Sequence, residues 1–394
     1  MPSRLRRITT QLLLALAALT IADQGIQWTV LRTGTAFGHR IAPFDPPLFT
    51  DAQRATLDRL ATEGNVDALG DVVFDAELGW CTPPIGTPSV DRFGGRLSSS
   101  ERPTTLGDGV RRIAVFGCSF TYGSEVAGSE SWPALLESRR EDLQVLNFGV
   151  PGFGADQALL RMRRVVATID VDEIWLGLLP ATALRLVSVY RPALRHYTNT
   201  VAFKPRFRMQ GDELVLVRNP APSIPELVAI VRSPERFATV VRTDSFMSRW
   251  PAAYAPDGTS PSHWFATSRL CLTMLERGGR EWASRFADRG DEVRQLADAI
   301  VARFAWEASV VDAEFRLVIL PDRESLTGRR ASAAPAWQDF VTRLREHEVP
   351  CIDVTMALER TNAAADDSIW ALQGHYSAAG NRVVADELAA SVPR

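Results

Sequence analysis

The stretch Arg111–Gly123 reads RRIAVFGCSFTYG. Within it Ile113, Ala114, Val115 and Phe116 form a continuous apolar run, the pattern of a strand buried on both faces of a parallel sheet. Gly117 and Gly123 bracket a turn and permit sharp backbone changes on either side of Ser119. Downstream, Trp132, Leu135 and Leu136 repeat at helical spacing, with Pro133 acceptable in a first turn. Strand, turn and helix in that order set Ser119 at the carboxyl end of a strand, where open α/β folds form their clefts. A lone serine in a βα loop usually does no more than satisfy main-chain groups, so the rest of the chain decides whether Ser119 is a nucleophile. Cys118 competes for that role. Consecutive residues at a strand end point to opposite sides, so only one of the two faces the cleft.

From Arg111 onward, strand and helix signals alternate. Strands are expected at Gln144–Asn147, Glu173–Leu179, Phe315–Leu320 and Cys351–Val354. Helices are expected around Trp132–Arg139, from Asp156 (as N-cap) to Ala167, on the face marked by Val293, Leu296, Ala297, Ile300 and Phe304, around Trp337–Leu344, and at Ala378–Ala390. This βαβα order predicts an α/β fold: a three-layer α/β/α sandwich whose parallel sheet is flavodoxin-like. The rhythm breaks between Pro180 and Arg289, about a hundred residues and far more than an ordinary loop. Residues 181–289 are therefore read as a cap-like insertion in a domain spanning 110–394. The insertion holds an expected hairpin, Arg206–Gln210 and Glu213–Arg218 around Gly211-Asp212. It also holds Trp250, Tyr254, Trp264, His196 and His263, aromatic and imidazole groups suited to stacking on sugar rings or to forming the insertion's own small core. Residues 24–109 end in a Pro/Gly-rich stretch and read as an extension packing on the main domain.

The composition is that of an ordinary globular protein: 46% hydrophobic and 23% charged residues. With 44 basic against 47 acidic residues, a net charge of −3 and no aromatic-interleaved basic patch, nucleic acid is not an expected partner. Arg161, Arg163 and Arg164 fall on an expected helix and read as a solvated face. The four cysteines, Cys81, Cys118, Cys271 and Cys351, show no metal-ligand spacing, and the five histidines add none, so neither a metal nor a cofactor is implied. A disulfide is open if the chain is exported, but spacing does not give its pairing.

Arg4, Arg6 and Arg7 precede an apolar stretch, Ile8–Ala22, closed by Asp23. A basic flank before an apolar core is the pattern of an export segment, assigned to residues 1–23. It is read as either a retained signal anchor or a removed signal peptide. The poor cleavage site Thr20-Ile21-Ala22 favours the anchor. In both cases the positive flank stays cytoplasmic and the bulk of the chain lies outside the cytoplasm, on the periplasmic side or secreted.

Two further motifs join Ser119. The loop Asn147-Phe148-Gly149-Val150-Pro151-Gly152-Phe153-Gly154 follows the second expected strand, and its glycines allow a main-chain N–H to face the cleft and stabilise an oxyanion. The segment Gly374-His375-Tyr376-Ser377-Ala378-Ala379-Gly380 precedes the closing helix, with Ser377 as its N-cap. That sets His375 at the same sheet edge as Ser119, where an imidazole can act as general base. No carboxylate occupies Leu372, Gln373 or Gly374, the three positions ahead of His375. Asp366 and Asp367 stand further back, within reach only if the chain turns.

The chain here resembles the SGNH (GDSL-type) hydrolase superfamily. GCSFTYG is similar to its first block, with Cys118 where Asp is commoner, and implies Ser119 as nucleophile. NFGVPGFG is similar to the second block and implies Gly152 as an oxyanion donor alongside the Ser119 amide. GHYSAAGN is similar to the last block and implies His375 as base. Phe74-Asp75-Ala76-Glu77-Leu78-Gly79-Trp80 is similar to a lead-in of membrane-anchored bacterial members from polysaccharide clusters. The resemblance runs from about Phe74 to the C-terminus. It departs from the family at the third block, where Leu179-Pro180-Ala181-Thr182 replaces a sequence that normally supplies Asn, leaving Thr182 as a substitute donor. It departs again at the last block, where Gln373 stands for the usual Asp. GCSFT is not a GxSxG elbow, since Thr121 replaces the second glycine. The resemblance implies a membrane-anchored serine esterase or O-acyltransferase acting on an acylated small molecule or carbohydrate. A glycan-binding or polysaccharide-assembly protein without catalysis is the alternative.

Overall fold

The computed structural model describes residues 2–33, 35–37, 39–40, 48, 50–64, 69, 71–98, 103–195, 198–248, 265–275, 282–327, 334–361 and 367–393. The chain divides into two compact units. One comprises residues 71–187, 204–219 and 281–394, and the other residues 1–70, 188–203 and 220–280. The insertion after the third strand is thus shared between them. Trp250, Tyr254, Trp264, His196 and His263 lie outside the described residues.

The first unit is built on five parallel strands, β1 (Arg111–Gly117), β2 (Leu143–Asn147), β3 (Glu173–Leu178), β4 (Glu314–Ile319) and β5 (Cys351–Asp353), in the spatial order 2-1-3-4-5. This is the flavodoxin-like order expected from the βαβα reading. Alternation along β1 explains the sandwich. Ile113 and Val115 join a core with Trp132 and Leu136 of helix α2 (Trp132–Arg139) and Val384 and Leu388 of helix α6 (Ala378–Ser391). Phe116 points the other way, 5.3 Å from the Phe148 ring and 6.5 Å from Phe304 of helix α4 (Glu292–Val310). Helix α3 (Ala155–Val166) packs beside α4, and helix α5 (Gln338–Glu346) packs on β5. All six β1 residues from Arg112 to Gly117 are buried, as a strand covered on both faces requires.

Two local expectations are corrected. Gly154, not Asp156, is the N-cap of α3; Asp156 lies inside the first turn, wholly buried, and is ion-paired with buried Lys204. Arg161 is not on a solvated face. It is buried, with Nη1 2.7 Å from Cys81 Sγ and Nη2 donating to Thr82 Oγ1 at 2.9 Å and the Gly94 carbonyl at 2.8 Å. Arg163 pairs with Glu307, and Arg164 with Asp75 and Glu77. All four cysteines are free thiols. The hairpin forms at Arg206–Gln210 and Glu213–Val217.

The second unit contains helix α1 (Pro2–Thr33), whose stretch Arg6–Thr33 is long and apolar enough to cross a membrane. Its two halves differ. Leu12, Leu13, Leu14, Leu16, Leu19 and Ile21 are exposed, whereas Val30 is buried in a small core with Ala36 and Leu270, flanked by Ile26. Asp23 marks the change: its carboxylate accepts from Thr267 N at 2.7 Å and Thr267 Oγ1 at 2.9 Å, and Gln27 accepts from Arg269 at 2.7 Å. Elsewhere in this unit Asp244 accepts from Val189 N and Ser188 Oγ, tying the two insertion segments together.

Candidate active site

Ser119 opens a one-turn helix, Ser119–Tyr122, immediately beyond β1. Cys118, still extended and buried, turns into the core formed by the α2/α6 side of the sheet. Beyond Tyr122 the chain reverses at Gly123 (φ 80°) and passes through Glu125, a non-glycine residue at φ 71°. The second loop is seated directly against this turn. Phe148 N donates to Val115 O, Val150 N to Gly117 O, and the Asn147 amide to Thr121 O at 2.9 Å. A Cβ on Gly149 would stand 2.4 Å from Tyr122 N, so only glycine permits the approach. Gly152 adopts φ 87°, which also favours glycine. Trp80, fully buried, donates from Nε1 to Pro151 O at 2.9 Å and braces the loop from the lead-in segment.

His375 arrives from the opposite end of the chain. Ala371 and His375 close a tight turn (Ala371 N to His375 O, 2.8 Å), with Trp370 and Tyr376 bridged beside it. Ser377 caps α6 by accepting from Gly380 N, as expected. The Tyr376 hydroxyl donates to Pro321 O at 2.6 Å, and burial pushes its phenol well above the ordinary value. The His375 ring tilts over Phe120, 5.2 Å between centroids. These contacts bring His375 Nε2 to 2.9 Å from Ser119 Oγ, and both residues are nearly buried. The two side chains implied as nucleophile and base thus meet.

The carboxylate comes from an unexpected place. Glu125 Oε2 lies 2.6 Å from His375 Nδ1, and the same carboxylate accepts from Gln373 N at 2.7 Å and His375 N at 3.3 Å. Burial raises its carboxyl pKa, but the amides of Gln373 and His375 and the imidazole outweigh that, and the net shift is downward. Glu125 is therefore an anion that only accepts, so the Nδ1 proton points at it and Nε2 offers its lone pair to the Ser119 hydroxyl. Gln373 contributes its amide N–H, while its side chain is exposed. Asp366 lies outside the described residues.

Of the implied oxyanion donors, the amides of Ser119 and Gly152 donate to no described residue. Thr182 differs. Its hydroxyl donates to Leu179 O at 2.7 Å, and its single proton is committed there. Among the described residues no group of three His, Cys, Asp or Glu is placed to hold a metal ion.

No family model matches this chain, and no curated protein matches it. Solved structures do resemble it. One is a member of the lipolytic protein G-D-S-L family from Veillonella parvula DSM 2008, at 12% identity over 72% of this chain and 98% of that chain, with a TM-score of 0.37. Another is LAE5, an alpha/beta hydrolase enzyme from the metagenome of Lake Arreo, Spain, at 14% identity over 73% of this chain and 96% of that chain, with a TM-score of 0.36.

Proposed function

We propose that the protein is a serine ester hydrolase of SGNH (GDSL) type, working through an acyl-enzyme. The observation that carries this reading is the continuous relay from Glu125 through His375 to Ser119, with links of 2.6 and 2.9 Å. His375 Nε2 takes the Ser119 proton as Oγ attacks the ester carbonyl, and Glu125 stabilises the imidazolium that forms. Negative charge develops on the carbonyl oxygen against the amides of Ser119 and Gly152. The tetrahedral intermediate collapses, the alcohol leaves with the proton from Nε2, and the acyl group stays on Oγ. A water molecule then gives its proton to His375 and attacks the acyl carbonyl; the bond to Oγ breaks, Nε2 returns the proton to Ser119, and the acid leaves. If a sugar hydroxyl takes the place of that water, the same chemistry is O-acyl transfer.

An acylated carbohydrate or similar ester is the proposed substrate class, on the strength of the polysaccharide-cluster lead-in at Phe74–Trp80. With the apolar part of α1 as a signal anchor and Arg4, Arg6 and Arg7 ahead of that part, the site faces the extracytoplasmic side. The non-catalytic alternative rests on Ala181 in the third block and on the missing carboxylate ahead of His375. Glu125 beside His375 Nδ1 answers the second of these, while the third block without its Asn still favours it.

The test is covalent labelling with a fluorophosphonate, comparing wild type with Ser119→Ala and His375→Ala. Labelling of wild type alone is expected; an unlabelled, folded wild type returns the protein to the binding class. Acyl release with and without an oligosaccharide acceptor then separates hydrolysis from transfer.

A further inference from the structure

We propose that Arg96 is the positioning residue for the acid of the triad, acting through the main chain of the loop that carries Glu125. This rests on the hydrolase reading above.

Arg96 belongs to the Pro/Gly-rich stretch ahead of β1. Its main chain is fixed by an antiparallel bridge to Val90 and by its N–H donating to Asn147 O at 2.7 Å. From that seat the guanidinium stacks over the Tyr122 ring, 4.1 Å from its centroid. Its fork gathers three main-chain carbonyls of one short stretch: Nη1 donates to the carbonyls of Tyr122 and of Gly123 (the latter at 2.5 Å), and Nη2 donates to Val126 O at 2.6 Å. These carbonyls flank Glu125 on both sides.

The loop needs such a clamp. Glu125 sits at φ 71°, a strained region for a non-glycine residue that persists only where its surroundings over-determine it. The preceding half is held by Gly123 N and Ser124 N donating to Ser119 O, but Val126 N reaches Gly123 O only at 3.4 Å. Charge-assisted bonds from one rigid fork supply the missing restraint. A Cβ on Gly123 would meet Ser131 Cβ at 2.6 Å and Arg96 Nη1 at 2.9 Å, so glycine lets both approach the turn. The charged and titratable groups acting on Arg96 are the Tyr122 phenol and Asp71, with Arg161 acting on Tyr122 in turn. None of these hydrogen-bonds the triad. The carbonyls, rather than a carboxylate, are what the fork holds.

The experiment uses the full-length protein with Arg96→Ala, Arg96→Lys, Glu125→Gln and the Arg96→Ala/Glu125→Gln pair. Two readouts are followed: the rate of fluorophosphonate labelling against pH, and the low-field proton resonance of His375 Nδ1–H. Arg96→Ala is expected to label at least tenfold more slowly, to move the acid limb to lower pH as Glu125→Gln does, and to lose the low-field resonance. Lys cannot span three carbonyls with one ammonium and is expected to recover little. Added ethylguanidinium is expected to restore part of the Arg96→Ala rate. In the double variant the Arg96 change adds no further slowing, because both act through one contact. Wild-type labelling rate, acid limb and resonance in a folded Arg96→Ala protein overturn the proposal, as does a full multiplication of the two losses. If Arg96→Ala does not fold, Arg96→Lys decides on the same readouts. A wild type that never labels sinks the hydrolase reading, and the resonance then still reports whether Arg96 sets the Glu125–His375 contact.

Discussion

Glu125 Oε2 and His375 Nδ1 lie 2.6 Å apart although 250 residues of chain separate them, and the carboxylate comes from the nucleophile's loop rather than from the stretch ahead of the histidine. The proposed triad is therefore assembled from two chain segments. One carries acid and nucleophile, and the other carries the base alone.

Replacing Glu125 by Gln keeps the shape but reverses the hydrogen-bond logic, since an amide can donate toward Nδ1 and favour the wrong tautomer. Esterase turnover is expected to fall about 10²–10⁴-fold, with the unfolding midpoint little changed. Steady-state hydrolysis of an aryl acetate beside a thermal melt measures both.

The same variant predicts a pH effect with a definite sign. A carboxylate beside the imidazole favours its protonated form, so removing the charge makes protonation harder. The acid limb of the rate profile should move to lower pH in Glu125→Gln. Stability follows a separate window. The Glu125 carboxyl titrates below its ordinary value, so its contribution is fully present above the unfolded glutamate pKa of about 4.3 and fades as pH falls through the lower folded value. Acid titration of unfolding should show the small difference between wild type and Glu125→Gln closing only in that acidic range.

Trp80→Phe keeps most of the buried bulk but strands the Pro151 carbonyl that Nε1 satisfies at 2.9 Å. A stability loss of about 1–3 kcal/mol is expected. The Gly152 amide loses its brace, so kcat should drop more than KM rises. Denaturant unfolding and initial rates over a substrate series test the two parts.

Gly152→Ala forces a side chain into φ 87°. The expected cost is about 1–2 kcal/mol, with acylation slowed while labelling by a small fluorophosphonate survives. Equal loss of both activities with no change in stability contradicts the donor role.

Deleting residues 1–22 should release the protein from membranes in a folded state, because the exposed leucines go and the Asp23–Thr267 contact stays. Deletion through Thr33 also removes Val30 and Gln27 from their partners and should lower the melting temperature of that unit. Membrane fractionation and calorimetry of the two truncations distinguish the halves of α1.

The middle of the sheet was legible because β1 and β3 are buried on both faces and read as largely apolar runs; Ile113–Phe116 needs no partner to be recognised. Ser119 and His375 followed from their places at strand and helix ends. Glu125 did not. Its neighbours Ser124 and Val126 give no periodic signal, and the groups around it, Arg96 on the Val126 carbonyl and the Ala371–His375 turn on its carboxylate, come from far away in sequence. The available hint was a carboxylate one turn beyond the nucleophile's glycine. Arg161 escaped for a similar reason: an arginine's partners, here Cys81, Thr82 and Gly94, decide whether it is solvated or buried. Asp156 looked like a cap because short acidic residues favour that position, whereas Lys204 draws it inward.

The division of labour between the two segments has a temporal side. On the proposed mechanism, Ser119 and Glu125 are synthesised well before His375, so neither is dangerous to surrounding esters until the imidazole on the turn-and-helix element Ala371–Ser391 is in place. In the proposed mechanism reactivity switches on only when that element has docked, which makes its docking the event that arms the site.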